Sequence, residues 1–212
     1  MPHAAPLSAM QAFWQPWRPP VVRPSLGATS PYLGTVGGLS DVLSRKPFRG
    51  AADTLRQMKT NALGPRGETS LPVRELTEHV TRGIWPKDYL GEILAIRNFC
   101  TDHIRYLNDP RHAEWVRDPE ALAAEIKAHG VASADCDEIA QMIGTMALQV
   151  GRSAEFVVVG FNRPGEYSHV FCRVLEPKTG QWIVCDPVAG NDERNMCNRV
   201  TTHQIWSLDE WS

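Results

Sequence analysis

A chain of 212 residues, 42% hydrophobic and 22% charged, has the length and balance of one globular domain with an appendage. Its net charge of −2 discriminates nothing. No apolar run reaches the roughly 18 residues of a membrane span, and the first residues lack the basic and apolar regions of a secretory signal. Five cysteines at irregular spacings leave an odd thiol and form no disulfide framework, which fits a reducing compartment.

Charge is unevenly distributed along the chain. Residues 1–50 hold half of the 16 prolines and no glutamate, and carry about +4, so the remainder carries about −6. With prolines 16, 19 and 20 and the aromatic Phe13, Trp14 and Trp17, this stretch can form neither a helix nor a central strand. Its aromatic content exceeds that of a solvated linker. The expectation is an extended arm lying against another protein, with a rival in which the basic arm folds back over the acidic domain.

From residue 51 onward the pattern predicts helices and then strands. A short helix is expected over 52–60. A second is capped by Ser70, with Pro72 in its first turn and Val73, Leu76 and Val80 inside. The longest is expected over 87–106, with Ile93, Ile96, Cys100 and Ile104 along one face. Asp118-Pro119 starts another that carries Leu122 and Ile126 and ends at Gly130. After Cys136 comes a helix whose face reads Ile139, Met142, Ile143, Met146, Ala147 and Val150, stopped by Gly151. Strands are expected over 154–160, 167–176 and 181–186, making an α+β domain with a small antiparallel sheet over 51–212.

Three residues in this frame can do thiol chemistry together. Cys136 opens its helix, where free N–H groups and the dipole favour a thiolate, so a depressed pKa is expected. Pro177-Lys178-Thr179-Gly180 makes a turn between two strands. If that loop is even, Glu176 faces Gln181, Cys172 faces Cys185, and His169 is the same-face diagonal neighbour of Asp186, roughly 7–8 Å away. A three-residue loop would put His169 and Asp186 on opposite faces. The sorting of Val170, Cys172, Val174, Ile183 and Cys185 onto one apolar face favours the even loop. Cys136 would then attack an acyl carbon, His169 would take and return the proton, and Asp186 would orient the imidazole. The Cys136 N–H is one oxyanion donor; Tyr106 and Trp115 are candidates for a second.

The runs Asp135-Cys136-Asp137-Glu138, Tyr167-Ser168-His169-Val170 and Trp182-Ile183-Val184-Cys185-Asp186-Pro187 resemble the three core motifs of the transglutaminase-like superfamily, a papain-related α+β fold with a Cys-His-Asp triad. Residues 104–110, Glu114-Trp115 and Asp118-Pro119 are similar to the version encoded in bacteriophages and prophages. The resemblance covers about residues 51–190, and Ala134 departs from the glycine usual before Asp-Cys. It implies thiol-dependent acyl transfer or hydrolysis of an amide, by a peptidase or amidase if water is the acceptor and a crosslinking transglutaminase if an amine is. The alternative is a structural component of a phage particle that keeps the fold and binds neighbours through its arm.

Other groups carry less. Cys100 and His103 share a helix face, but zinc needs two further donors, and Cys197 and His203 are the only spare ones of the right kind. Cys172 opposite Cys185 reads as two inward thiols. Arg105, Arg111 and Arg117 are interleaved with Asp102, Asp109, Glu114 and Asp118, which predicts a mixed-charge surface and no nucleic-acid stripe. Asp109 and Glu114 are joined by no helical period. No cofactor or metal is expected. The expected partners are a protein or peptide amide and, for residues 1–50, phage structural proteins; the expected location is the bacterial cytoplasm or the virion.

Overall fold

Five helices and six strands occur among the described residues, 50–108, 116–188 and 199–209 of this computed structural model. The expected arm lies outside them except for Gly50, as do Asp109, Arg111, Glu114, Trp115 and Cys197. In chain order come α1 (Ala51–Leu63), α2 (Leu71–Thr81), α3 (Tyr89–His103), β1 (Ile104–Tyr106), α4 (Pro119–His129), β2 (Ala132–Ala134), α5 (Cys136–Gln149), β3 (Ala154–Gly160), β4 (His169–Glu176), β5 (Gln181–Cys185) and β6 (Thr202–Ser207). The four-stranded antiparallel sheet runs β5-β4-β3-β6 and takes α5 across one face.

Local chemistry sets most of the helix ends. Asp118 accepts the N–H of Ala121 at 2.9 Å, Pro119 occupies the first helical position, and Gly130 closes α4 at φ 77°. Gly151, at φ 72°, ends α5 as its position predicted. Ser70 stands at the start of α2 but caps nothing with its side chain; its hydroxyl donates instead to Glu120 Oε2 at 2.8 Å, tying α2 to α4.

The long helix expected over 87–106 is shorter at both ends. Lys87 is left-handed at φ 66°, and Asp88 caps α3 by accepting the N–H of Gly91 at 3.0 Å. At the other end Ile104–Tyr106 leaves the helix to pair in parallel with Ala132–Ala134. A helical apolar period placed Ile104 correctly in the core, yet the cross-chain ladder took its backbone. The sheet also gains β6, whose pairing with β3 was not anticipated because His203, Gln204 and Ile205 are exposed and show no alternation.

A second correction concerns α5. Its apolar residues predict one buried face, but every residue from Asp137 to Ala147 is buried. The helix is enclosed by the sheet on one side and the other helices around it, so the polar Gln141 and Thr145 are as covered as Met142. Gly144 marks a tight approach: a Cβ there would lie 2.7 Å from Leu208 Cδ1 and 3.2 Å from Phe156. The helix-facing side of the sheet carries Phe156, Val158, Val170, Cys172, Val174 and Cys185, and a smaller apolar group of Val157, Val159 and Phe171 covers the other.

Candidate active site

Cys136 is the first residue of α5, at a sharp passage from β2 into the helix with Asp135 alone between them. Asp135 caps α5, accepting the N–H of Glu138 at 3.5 Å, while the same N–H reaches Asp137 Oδ1 at 2.7 Å. The backbone N–H of Val170, the residue after His169, favours the Cys136 thiolate. Ala134, where the resembled family has glycine, is buried and paired with Tyr106.

The expected depression of the Cys136 pKa is not what the structure gives. Burial pushes the thiol up to about 12. The N–H groups of Val170 and of Cys136 itself favour the thiolate, but the carboxyl groups of Asp137 and Asp135 oppose it. The helix-start N–H of Cys136 itself is thus the smallest contribution, and desolvation outweighs it. Asp137 is pushed further from its ordinary range, up to about 10, by burial first and then by its hydrogen bond with Asp135. The raised value favours the protonated form of Asp137, the form that can donate to Asp135.

The β4–β5 hairpin has the even, four-residue turn. Glu176 faces Gln181, Cys172 faces Cys185, and Val174 faces Ile183. Thr179 explains why the turn holds: its N–H and hydroxyl donate to Glu176 Oε2 at 2.8 and 2.6 Å. This register carries His169, the first residue of β4, to Asp186, the residue after β5. His169 Nε2 donates to Asp186 Oδ2 at 2.7 Å. Asp186 is 2% exposed, and its other oxygen takes the N–H of Val188 at 3.0 Å, so one carboxylate shapes the turn and holds the ring. Phe171 flanks His169 at a ring-centroid distance of 6.2 Å.

Tyr106 belongs to the same neighbourhood. Its phenol is pushed up by partial burial and then by Cys136, Asp135, Asp137 and Asp186. Its hydroxyl donates to Asn108 Oδ1 at 2.8 Å. The zinc candidates separate: Cys100 is core, whereas His103 bonds the Gly130 carbonyl at 2.8 Å through Nδ1 and stacks on Phe99. Among the described residues no group of three or more His, Cys, Asp or Glu is arranged to hold a metal ion, and no helix is long and apolar enough to cross a membrane.

Sequence reading missed Arg117, which it had assigned to a mixed-charge surface. Its Nε and Nη2 donate to Glu138 Oε1 and Oε2 at 2.7 and 2.9 Å, and Nη1 donates to Glu125 Oε2 at 2.8 Å. Nη2 also donates to the Ser133 carbonyl. Burial opposes the guanidinium charge, yet the bonds and charges of Glu138 and Glu125 outweigh it and hold the proton more tightly than usual. One signal was present: Asp135 and Glu138 have capping-box spacing, in which the glutamate would reach back to its own helix start. Arg117 takes that glutamate instead.

No protein-family model matches the sequence, and no curated protein matches it. Solved structures do resemble it. One is described as a "putative protease" from Parabacteroides distasonis ATCC 8503, with a TM-score of 0.51 and 13% identity over 78% of this chain. Another is a "putative cysteine protease" from Cytophaga hutchinsonii, with a TM-score of 0.37 and 13% identity over 87% of this chain. The first likeness is one of fold. This chain spans 31% of the first structure's length and 61% of the second's.

Proposed function

We propose that the chain is a thiol-dependent amide-cleaving or acyl-transferring enzyme of the transglutaminase-like kind, with Cys136 as nucleophile, His169 as general acid–base and Asp186 as the carboxylate that orients it. The observation that carries this reading is the 2.7 Å bond from His169 Nε2 to buried Asp186, with the N–H of the next residue, Val170, favouring the Cys136 thiolate. With Nε2 committed to Asp186, Nδ1 is the nitrogen that takes the thiol proton. Burial keeps the free thiol neutral, so proton transfer to His169 accompanies attack on the acyl carbon, and Asp186 stabilises the imidazolium that forms. The Cys136 N–H at the helix start supports the developing oxyanion. His169 then returns its proton to the leaving amine as the C–N bond breaks, which leaves a thioester on Cys136. Water completes hydrolysis, and a primary amine completes transfer.

The resemblance of residues 104–119 to phage-encoded versions supports a bacteriophage or prophage source. The prolines, aromatics and positive charge of residues 1–50 support a protein partner for that segment.

The test is acylation by p-nitrophenyl acetate, followed by mass spectrometry of the whole protein and its peptides. Acetyl on Cys136, absent from His169→Ala and released faster by added amine if transfer is the reaction, is the expected result. Acetylation that spares Cys136, or that is indifferent to His169→Ala, would overturn the assignment.

A further inference from the structure

Arg117 precedes the Asp118 cap of α4, yet most of its bonds go elsewhere. Nη2 reaches the carbonyl of Ser133, three residues before Cys136, and Nη2 and Nε together grip Glu138, two residues after it, at 2.9 and 2.7 Å. The main chain of Arg117 repeats the connection: its N–H donates to Glu138 Oε1 at 3.0 Å, and its carbonyl accepts from Gln141 Nε2 at 2.6 Å. Glu125 anchors the third guanidinium nitrogen to α4 at 2.8 Å. One residue thus bridges both ends of the strand-to-helix turn that carries Cys136.

We propose that Arg117 is a positioning residue for Cys136, clamping the turn between Ser133 and Glu138 so that the sulfur keeps its place at the start of α5. This rests on the reading of Cys136 as nucleophile. Stability alone is a poor reason for the arrangement. Glu138 has 5% and Arg117 29% of its side chain exposed, and apolar packing in place of such a buried network is often as stable or more so. A planar fork with five donors supplies a unique orientation. The first turn of a helix is also where the backbone frays most readily, and here that turn carries the sulfur.

The built-in control is the set of buried thiols Cys100, Cys172 and Cys185. Iodoacetamide labelling at pH 7, resolved peptide by peptide, is compared among the wild type, His169→Ala, Arg117→Lys and Glu138→Gln. Arg117→Lys keeps the charge and loses the fork; Glu138→Gln keeps the shape and serves if the lysine variant does not fold. Each is expected to slow Cys136 by roughly tenfold to a hundredfold, the scale of a small misplacement of a reacting group, while the three buried thiols stay slow. A folded variant in which Cys136 is as fast as in the wild type overturns the clamp. So does a parallel rise of all four rates, because that is general loosening. If His169→Ala does not slow Cys136, the nucleophile reading fails and the clamp with it. Slowing in His169→Ala but not in the clamp variants removes the clamp alone.

Discussion

Two polar clusters flank Cys136 and differ in construction. On the sheet side a single 2.7 Å bond joins His169 to Asp186 across one hairpin. On the helical side Arg117 gathers Glu138, Glu125 and the Ser133 carbonyl from a strand and two helices. An imidazole can gain and lose a proton near neutral pH, whereas a guanidinium cannot lose its own. Under the proposed function the difference is a division of labour: a proton carrier held by one strong bond, and a permanent charge held by many. On that reading the carrier must remain free to change state, and the turn beneath the sulfur must not.

The sharpest way to break the comparison is Asp186→Asn. It preserves the carbonyl that can take the Val188 N–H but presents the wrong partner to His169, so acylation should fall by about three to four orders of magnitude with thermal unfolding little changed. Equal losses of activity and stability would mean that Asp186 only shapes its turn. Glu138→Ala should behave in the opposite way. It leaves a half-buried guanidinium without its main partner and should cost about 2 kcal/mol in urea unfolding. A cost near zero would show that the clamp is solvated.

A separate test concerns Asp137 and the pH dependence of stability. Its carboxyl is raised to about 10 in the folded chain, so the native state keeps a proton that the unfolded chain gives up near pH 4. Stability from this group is therefore fully present below about pH 4 and declines as pH rises toward 10. Asp137→Asn, which cannot ionise, should flatten that decline when melting temperatures are compared at pH 5 and pH 9. An unaltered slope would place the proton elsewhere.

The hairpin and the ends of α4 and α5 were legible because their causes are local. Pro177 to Gly180 and the alternation of Val170, Cys172 and Val174 determine a register within a few residues, and a period of two admits no compromise. Asp118, Pro119, Gly130 and Gly151 mark ends through their own backbone preferences. The pKa of Cys136 was misjudged for a related reason. Position at a helix start is a local property, but desolvation depends on what the rest of the chain lays over the sulfur.

The sequence by itself determined that His169 would share a sheet face with Asp186 and that Cys136 would open a helix, since both follow from spacing and turn chemistry. Tertiary structure alone decided that α5 is enclosed on every side, that residues 104–106 join a ladder with 132–134, and that Glu138 answers Arg117, 21 residues earlier, across the clamp. Those outcomes depend on which surfaces meet once several elements have packed. The cost of burying a charge compels it to find whatever partner that packing brings near, and no periodicity in the chain records the choice.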